Sequence, residues 1–495
     1  MSAAYDPKRV ENFAGGEWIQ ASSTASVDVW DPATGDVVAK TPLSNRQDID
    51  RVVGAAVEAF EMWSQEPVPR RAKIMFRLQS LIESHLDELA ELIVRENGKH
   101  IDEARGEVRR GLEVVEFAAG APTLLMGTGL EEVASGIDTE MYRHPVGVVA
   151  GITPFNFPVM IPLWMIPLAL VCGNTFILKP SQRTPLSARR LIELFADAGL
   201  PGGVLNQVNG AGDTVDLILD HPSIKAVSFV GSAPVARHIY SRAAASGKRV
   251  QALAGAKNHL VIMPDADLEF ASRAIFSSAF SNAGQRCLAG SVAVAVGKVG
   301  DAVAEGLARL AMGARMGSGL DERTDTDTFI TPVTTQEHMD RIEEWIKTAE
   351  QEGAQIAVDG RTRKSSPGFF LGPTIIDGVQ PEMAIAQEEI FGPVLLVERM
   401  RDLDQAIEAV NRSAYGNAAA IFTSSGWAAR EFRRKVQAGM LGINVAVPAP
   451  MAFFPFAGWK GSFYGDLHAT GRDGIEFYTD RKVTTSRWLP PGSTI

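Results

Sequence analysis

Apolar residues are distributed along this chain in two different patterns. Between residues 50 and 125 the apolar positions recur at intervals of three or four, as at Leu89 and Ile93. This spacing places apolar side chains on one face of a helix and so predicts a run of helices. Asn97 followed by Gly98 is typical of a helix end. We interpret this part of the chain as a helical segment that precedes the main sheets.

From residue 146 onwards, short apolar runs alternate with segments of helical length. Four of these runs precede residue 255 and are predicted as strands: 146–152, 174–180, 204–210 and 225–231. Strands separated by helices imply βαβ crossovers, which place the strands parallel in one sheet. The pattern therefore predicts an α/β fold with a parallel sheet of the dinucleotide-binding kind.

A second α/β segment is predicted after Gly255 and would form a catalytic domain. Its candidate strands are 259–263, 291–296 and 441–447. Two further stretches alternate as half-buried strands do, at 141–147 and 482–488. Neither stretch fits into the two α/β segments, and a sheet shared between subunits would accommodate both.

The size and charge of the chain exclude several classes of protein. With 495 residues it is too long for one hydrophobic core, so two or three substructures that share a cleft are expected. A formal net charge of −11 would repel phosphate backbones, which argues against a nucleic-acid partner. Cys172 and Cys287, the two cysteines, have the spacing neither of a disulfide framework nor of a zinc site. We therefore expect no metal site and a reducing, cytoplasmic location.

No export or membrane segment is expected either. Residues 1–13 carry charges where a signal peptide needs an apolar core. The most apolar run, 158–172, is shorter than a membrane span and is interrupted by prolines, which favours a buried helix. The chain is therefore predicted to have no transmembrane helix.

Cys287 is the first candidate for catalytic chemistry. It lies in FSNAGQRCLAG at 280–290, where small residues follow a helical stretch and let a substrate approach the backbone closely. A single cysteine in a soluble enzyme is often a buried, inert thiol instead. A role as nucleophile therefore needs support from residues elsewhere in the chain.

Two segments that follow predicted strands carry suitable polar side chains. In TPFNFP at 153–158, the amide of Asn156 could donate a hydrogen bond to an oxyanion, although the sequence is also compatible with a plain turn. In ILKPSQRTP at 177–185, Lys179 ends a strand, where open α/β sheets bind their ligands. Lysines at strand ends are common, so this position alone leaves both interpretations open.

Two more segments fit the binding of a nucleotide. FVGSAPVA places Gly231 and Ser232 between a strand and a helix, which suits a phosphate at a helix N-terminus, although glycine turns also occur there without a nucleotide. QEEIFGPV places Glu389 and Phe391 beside a Gly-Pro turn. The carboxylate could hold ribose hydroxyls and the ring could rest against a nicotinamide. The alternative is a charged helix end with a core phenylalanine.

These segments occur in an order that resembles the aldehyde dehydrogenase superfamily: PFNFP, KPSQ, FVGS, GQRC and EEIFGPV. The resemblance spans nearly the whole chain. It implies an aldehyde dehydrogenase-like α/β fold with a Rossmann-type cofactor domain, an α/β catalytic domain and a small β oligomerisation arm. The implied boundaries are 1–125 and 146–254 for the cofactor domain, 255–445 for the catalytic domain, and 126–145 with 446–495 for the arm and a C-terminal extension.

The resemblance also implies roles for individual residues. Cys287 would be the nucleophile, and Asn156 would stabilise the oxyanion together with the backbone N–H of Cys287. The implied NAD-binding residues are Phe155, Lys179, Ser181, Gln182, Gly231, Ser232, Glu389 and Phe391. The resemblance further implies a homotetramer, with a dimer as the alternative.

A closer resemblance concerns the step that releases the product. Hydrolytic members of the superfamily carry a glutamate before a Gly-Gly-Lys turn as the base that activates water. In LAGAKNH the corresponding residue is Leu253, which cannot accept a proton. Four further stretches closely resemble the methylmalonate-semialdehyde dehydrogenases, the coenzyme A-acylating branch: GAKNH, MPDA at 263–266, PAPMAFFPFAGWKGSF at 448–463 and the tail at 471–488. This implies oxidation of methylmalonate or malonate semialdehyde to propionyl-CoA or acetyl-CoA, with loss of CO2.

A semialdehyde acid needs a cationic partner for its carboxylate, and a guanidinium group pairs with a carboxylate through two hydrogen bonds. Arg110 and Arg286 are the candidates. Arg110 could instead lie on a solvated helix face, and an arginine beside the nucleophile also occurs in some hydrolytic relatives.

Several alternatives stay open at this point. Gln182 stands where relatives usually carry a ribose-binding glutamate, so NADP could replace NAD, and Leu253 replaces the asparagine more usual in this branch. The enzyme could be a hydrolytic semialdehyde dehydrogenase that releases a free acid, or a catalytically inactive relative. Malonate and methylmalonate semialdehyde differ by one methyl group, which is worth only about 1 to 3 kcal/mol in an apolar pocket.

Overall fold

The computed structural model describes residues 9–321, 328–364 and 367–489. Within these ranges the α-helices, numbered in chain order, are Arg46–Trp63 (α1), Val68–Ser84 (α2), Leu86–Asn97 (α3), Ile101–Ala119 (α4), Ala121–Leu124 (α5), Met160–Val171 (α6), Leu186–Asp197 (α7), Gly212–Asp220 (α8), Ala233–Ala245 (α9), Leu268–Phe280 (α10), Gly300–Gly313 (α11), Gln336–Gln351 (α12), Ala384–Gln387 (α13), Leu403–Arg412 (α14), Gly426–Lys435 (α15) and Gly471–Phe477 (α16). Short 3-10 helices lie at Ser281–Gly284, Gly297–Val299 and Gly360–Arg363.

The β-strands of the same ranges are numbered in the same way. They are Asn12–Ala14 (β1), Glu17–Ile19 (β2), Ser26–Trp30 (β3), Val37–Pro42 (β4), Thr128–Ala134 (β5), Ile137–Pro145 (β6), Val148–Ile152 (β7), Thr175–Lys179 (β8), Leu205–Gln207 (β9), Ile224–Val230 (β10), Arg249–Leu253 (β11), Asn258–Ile262 (β12), Gly290–Val296 (β13), Arg315–Met316 (β14), Phe329–Ile330 (β15), Gln355–Val358 (β16), Thr374–Asp377 (β17), Val394–Met400 (β18), Tyr415–Gly416 (β19), Ala418–Phe422 (β20), Met440–Ile443 (β21), Trp459–Lys460 (β22), Phe463–Gly465 (β23) and Thr479–Arg487 (β24).

The predicted helical segment is confirmed as α1 to α5. Helix α3 ends at Asn97 as expected, because Gly98 adopts a left-handed conformation with φ of 92° and its N–H bonds to the carbonyl of Val94. The predicted buried helix within 158–172 is also confirmed as α6, in which every residue is buried. Helix α6 packs against α4, so the lead-in helices and the first sheet share one apolar cluster.

The larger sheet has eight strands in the order β2-β1-β9-β8-β7-β10-β11-β23. The four strands predicted before residue 255 are its central members β7 to β10, and they run parallel as expected. Their apolar residues are buried on both faces because helices cover the sheet. The two edges are antiparallel additions from distant parts of the chain, β1 beside β9 and β23 beside β11.

A second sheet has seven strands in the order β16-β17-β18-β13-β12-β20-β21. It contains the three strands predicted after Gly255, as β12, β13 and β21. The last of these is shorter than predicted, because Asn444 turns the chain with φ of 57°. The Asn444 side chain holds this turn by accepting from the backbone N–H of Thr423 and donating to its carbonyl. The carboxyl ends of parallel strands lie at one edge of each sheet, where ligands bind in open α/β folds.

A third sheet is antiparallel, in the order β24-β6-β5. The two predicted strands that fitted neither α/β segment are β6 and β24, and they pair with each other, with Val483 opposite Met141. Most side chains of this sheet are exposed. Sharing of the sheet between subunits stays a prediction, as do the domain boundaries, whose ends at 1–8 and 490–495 lie outside the described residues. In the described part of the chain, no helix is long and apolar enough to cross a membrane.

Candidate active site

Cys287 follows a turn with an unusual backbone. After α10 ends, Asn282 and Ala283 both adopt left-handed φ angles of 50°, and Gly284 adopts a φ of 72°. A Cβ atom on Gly284 would collide with the carbonyl oxygen of Gly392, so only glycine fits where these two segments meet. Such angles are uncommon for non-glycine residues, and they cluster at functional sites. The turn delivers Cys287 just before β13.

Two asparagine side chains fix the backbone of Cys287. The amides of Asn258 and Asn417 each donate to its carbonyl oxygen, both at 2.9 Å. Asn258 also donates to Ala289 and accepts from the N–H of Ala418. Sequence reasoning missed both asparagines, although Asn258 lies within the GAKNH segment that carried the resemblance. These bonds position the nucleophile from β12 and from the start of β20.

The surroundings of Cys287 disfavour ionisation of its thiol. Burial, which is the largest cause, and the carboxylate of Glu389 together raise its pKa to about 12. The guanidinium group of Arg286 and the backbone N–H groups of Cys287 and Leu288 act in the opposite direction. The thiol is therefore protonated at neutral pH, and a positive charge placed beside it would favour the thiolate.

Cys172 has a different environment. It follows α6 and is 2% exposed within the apolar cluster of the first sheet. Burial raises the pKa of its thiol to about 12. Cys287 differs from it because Cys287 is only half-buried and lines a cavity.

The cavity beside Cys287 has a volume of about 300 Å³ and joins charged and apolar walls. The charged residues on its wall are Lys99, Glu103, Glu107, Arg110, Glu113 and Arg286. The apolar residues include Phe157, Met160, Trp164, Leu288, Val447 and Phe456. The structure thus brings together the predicted nucleophile and both predicted carboxylate-binding arginines.

Arg110 projects from α4 into this cavity and does not lie on a solvated helix face. One of its nitrogens, Nη1, donates to both carboxylate oxygens of Glu113 at 2.9 and 3.0 Å, and Nη2 donates to the carbonyl of Pro450 at 2.6 Å. Its side chain is 34% exposed. The guanidinium group is therefore oriented by neighbours while it still faces the space next to Cys287.

Arg286 is held at the C-terminal end of α10. Its Nη2 donates to the carbonyls of Ser277 and Ser278 at 3.0 and 2.9 Å. Burial lowers the pKa of its guanidinium group, and Glu103 opposes that shift. Its Nε atom is buried and has no hydrogen-bond partner among the described residues. An anionic ligand in the cavity would satisfy such a donor.

Asn156 follows β7 and is 3% exposed. Its carbonyl oxygen accepts a hydrogen bond from Nζ of Lys99, which itself lines the cavity. The side chain of Asn156 is absent from the described cavity wall, so its role toward an oxyanion stays a prediction.

Lys179 ends β8, as the sequence predicted. Burial lowers the pKa of its ammonium group to about 8. Among the described residues, Nζ makes no ion pair or hydrogen bond, which is costly for a buried cation. The turn after it is ordered locally, because Ser181 Oγ accepts from the N–H of Arg183 and the carbonyl of Gln182 accepts from Thr41.

Gly231 and Ser232 separate β10 from α9, also as predicted. The N–H of Gly231 donates to the carbonyl of Leu253 at 3.1 Å. Ser232 is the N-cap of α9, but its side chain makes no capping bond. The N–H groups of Ala233 and Val235 therefore have no side-chain cap at the positive end of the helix dipole, and Pro234 between them has no N–H.

Glu389 and Phe391 lie on the other side of Cys287 and line a small recess with it and Arg286. Burial raises the pKa of Glu389 to about 7, and one of its oxygens accepts from the N–H of Ala256 at 2.9 Å. Phe391 is half-buried, has a left-handed φ of 57° and packs edge-on against Phe155, with ring centroids 5.9 Å apart. It is therefore not a core residue, and its ring borders open space.

Leu253 ends β11 and is 4% exposed. It belongs to the apolar cluster against which Cys287 packs. The position that would carry a general base in hydrolytic relatives is thus filled by a buried alkyl group.

Comparison with known proteins shows full-length similarity. A family model described as "Aldehyde dehydrogenase family" matches residues 18–484. Malonate-semialdehyde dehydrogenase 2 of Geobacillus thermodenitrificans NG80-2 is 57% identical over 484 residues, which is 97% of this chain and 99% of that protein. Malonate-semialdehyde dehydrogenase of Halalkalibacterium halodurans is 54% identical over 482 residues, with 97% and 99% of the two chains covered.

Solved structures agree with these relatives. The methylmalonate-semialdehyde dehydrogenase of Oceanimonas doudoroffii superposes with a TM-score of 0.95 at 46% identity, covering 98% of this chain and 99% of the other. A protein of Sinorhizobium meliloti 1021, assigned as a methylmalonate-semialdehyde dehydrogenase and solved with NAD, gives a TM-score of 0.96 at 43% identity over 99% and 100% of the two chains.

Proposed function

The chain belongs to the aldehyde dehydrogenase family, and on that basis we propose that it oxidises malonate or methylmalonate semialdehyde with NAD. The proposed products are acetyl-CoA or propionyl-CoA and CO2. The observation that carries this proposal is the single cavity that joins Cys287 to Arg110 and Arg286. Two of the similar proteins are named malonate-semialdehyde dehydrogenase and methylmalonate-semialdehyde dehydrogenase.

The residues present fit a nicotinamide dinucleotide. Lys179 is a buried cation at the carboxyl end of a parallel strand, and it has no partner among the residues that the structure describes, which suits hydroxyl or phosphate oxygens. The uncapped N-terminus of α9 at Ser232 suits a pyrophosphate, and Glu389 suits ribose hydroxyls. The half-buried ring of Phe391 suits a nicotinamide. We assign NAD binding to these residues with Phe155, Ser181, Gln182 and Gly231. Bound there, NAD would supply the acceptor for the hydride that is removed when the substrate carbon is oxidised.

The protein's own groups perform the other steps. The S–H proton of Cys287 passes to solvent as the sulfur adds to the aldehyde carbon, while the amide of Asn156 and the N–H of Cys287 donate to the oxygen that becomes negative. After oxidation Cys287 carries a thioester whose acyl group has a carboxylate one carbon further on. The bond between the carboxylate carbon and its neighbouring carbon breaks, and CO2 leaves. The electron pair of this bond passes to the thioester carbonyl and forms an enolate. A proton from solvent then adds to the carbon that lost CO2. The thiol of coenzyme A finally takes the acyl group and restores Cys287.

Deacylation by coenzyme A follows from Leu253. Water attacks a thioester slowly at neutral pH unless a base takes its proton, whereas a thiol is partly ionised and strongly nucleophilic. The second candidate is a hydrolytic NAD(P)-dependent semialdehyde dehydrogenase. Because Gln182 is uncharged, NADP stays an alternative to NAD as the cofactor of this second candidate.

A homotetramer and a cytoplasmic location complete the proposal. The antiparallel sheet of β5, β6 and β24 exposes large apolar residues, among them Leu130 at 65% and Val483 at 63% exposure. Exposed large apolar side chains on a sheet with unpaired edges favour a contact with another subunit. The sheet is therefore our candidate for contact between subunits.

Replacing Arg110 with leucine is expected to lower kcat/KM for malonate semialdehyde about ten- to a hundredfold and to leave propanal nearly unaffected. The guanidinium group pairs with a carboxylate that propanal lacks, and losing one partner of a charged pair costs about 2 kcal/mol or more. A third of the side chain is exposed, so the lower end of the range applies. Steady-state NADH formation with both aldehydes measures the ratio, and Arg286→Leu should shift it in the same direction.

The matched control is Arg109→Leu, because Arg109 is the neighbouring, exposed arginine of the same helix. It should leave both aldehydes unaffected. Equal losses for malonate semialdehyde and propanal in Arg110→Leu would show that Arg110 supports structure rather than substrate binding.

The affinity for NAD is expected to be highest between about pH 7 and 8. Below this window Glu389, whose pKa burial raises to about 7, takes up a proton and becomes a weaker acceptor for ribose hydroxyls. Above it Lys179, whose pKa burial lowers to about 8, loses its charge. Titration of nucleotide binding by fluorescence from pH 5 to 10 measures both limbs, each several-fold. Glu389→Gln should flatten the acid limb alone, and an unchanged acid limb would refute the role of Glu389.

A further inference from the structure

A buried ion pair forms part of the wall beside Cys287, and the steps above give it no task. Nζ of Lys99 lies 2.6 Å from Oε2 of Glu107, and the two side chains are 1% and 0% exposed. Lys99 follows the turn at Gly98, and Glu107 lies in α4. A buried ion pair seldom stabilises a fold more than apolar residues of the same size would. Stability alone therefore does not explain an ion pair on the cavity wall.

The contacts of the pair converge on the loop that carries Asn156. Nζ of Lys99 donates to the carbonyl oxygen of Asn156 at 2.7 Å and lies 4.2 Å from the ring centroid of Phe157. The other oxygen of Glu107 accepts from the N–H groups of Val159 and Met160 at 2.8 and 3.1 Å. These N–H groups begin α6, so the carboxylate also lies at the positive end of that helix.

The preceding residue is held by the same part of the fold. The amide of Asn97 donates to the carbonyl of Phe155 at 3.0 Å. The backbone on both sides of the Asn156 side chain is thus bonded to residues of α3, α4 and the turn between them. Loops held in this way keep a side chain within a narrow range of positions, and a displacement of about 1 Å in an active site can cost about a hundredfold in rate.

We propose that Lys99 and Glu107 are positioning residues that hold the amide of Asn156 where the oxyanion forms. The inference rests on the proposed role of Asn156 in the reaction, and it adds residues that act through it. Lys99 fixes the carbonyl of Asn156 itself, and Glu107 both orients Lys99 and fixes the start of α6. Neither residue needs to touch the substrate.

The test uses a reaction that needs neither NAD nor coenzyme A. When p-nitrophenyl acetate acylates Cys287, the sulfur attacks the ester carbonyl, an oxyanion forms, and nitrophenolate leaves as acetyl-Cys287 is produced. Stopped-flow absorbance of the first turnover gives the acylation rate. Lys99→Met is expected to lower this rate about a hundredfold, comparable to the loss of one oxyanion donor. Because this readout is independent of the cofactor and of the released product, it separates this inference from the assignment of substrate and coenzyme A.

Matched controls separate positioning from stability. Arg71 is also buried and donates from Nε to a backbone carbonyl, that of Val171 at the other end of α6, at 2.9 Å. Arg71→Met should lower the unfolding temperature and leave the acylation rate within about twofold. The double variant Lys99→Met with Glu107→Gln removes both charges and keeps an acceptor for the N–H groups of Val159 and Met160. It should regain stability relative to Lys99→Met but keep the slow acylation.

The decisive comparison places Lys99→Met in an Asn156→Ala background. If the lysine acts through Asn156, the second substitution should add less than about twofold to the loss. Full multiplication of the two losses would overturn the inference and leave the role of Asn156 intact. An Asn156→Ala enzyme that acylates at the full rate would overturn the oxyanion assignment and the inference with it. Glu107→Gln, which keeps an acceptor for Val159, serves in the same cycle if Lys99→Met does not fold.

Discussion

Replacing Cys287 with alanine is expected to abolish NADH formation and the covalent acyl-enzyme, a loss of about ten-thousandfold or more. Alanine has no nucleophile, and the remaining groups of the site only bind and orient the aldehyde. Cys172, the other cysteine of the chain, cannot take over because it is buried in the apolar cluster of the first sheet. Mass spectrometry of the intact protein after mixing with substrate and NAD detects the missing acyl adduct.

Cys172→Ala is the control for this experiment. It removes a buried sulfur, so it should cost some stability and leave the acyl adduct and the turnover in place. An active Cys287→Ala enzyme would end the thioester mechanism, whatever the product.

Without coenzyme A, we expect a burst of NADH equal to the number of active sites, followed by turnover about a hundred- to ten-thousandfold slower than with coenzyme A. This range is the usual worth of a general base, which Leu253 cannot provide. The thioester on Cys287 therefore persists until a thiol attacks it. Rapid mixing of enzyme, NAD and malonate semialdehyde, with and without coenzyme A, gives both phases in one record.

Two substitutions at Leu253 sharpen this prediction. Leu253→Glu should raise the slow phase if the carboxylate reaches the thioester, whereas Leu253→Gln has the same size and cannot accept the proton. Both bury polar atoms at a position that is 4% exposed, so thermal unfolding must be measured alongside. A wild-type enzyme that turns over rapidly without coenzyme A would contradict the role assigned to Leu253.

The elements of the fold were predictable where one segment carries its own periodicity. The central strands β7 to β10 and the helices α1 to α5 are of this kind. The strands are buried on both faces and are mostly apolar, whereas the helices are buried on one face and have apolar residues at every third or fourth position. The edges of the sheets were not predictable. Strands β1 and β23 are three residues long, too short for a clear local pattern, and they join the sheet through β9 and β11, which come from distant parts of the chain.

The same distinction holds for the active site. Cys287, Lys179 and Glu389 lie in short segments whose residue types are characteristic, and the resemblance to the family identified them. Lys99 and Glu107 were missed because they lie eight positions apart, one in a turn and one in α4, and this spacing does not match the i,i+3 or i,i+4 pattern of helical ion pairs. Asn417 was missed because its bond to Cys287 joins residues 130 positions apart. Contacts of this range become visible only when the chain is folded.

The most direct test of the central claim is to identify the product formed from malonate semialdehyde, NAD and coenzyme A. Mass spectrometry of the quenched reaction, with the substrate carboxylate labelled with 13C, follows both fragments. We predict acetyl-CoA without label and one equivalent of labelled CO2 for each NADH. Labelled free malonate, formed at the same rate with or without coenzyme A, would contradict the account and identify a hydrolytic enzyme.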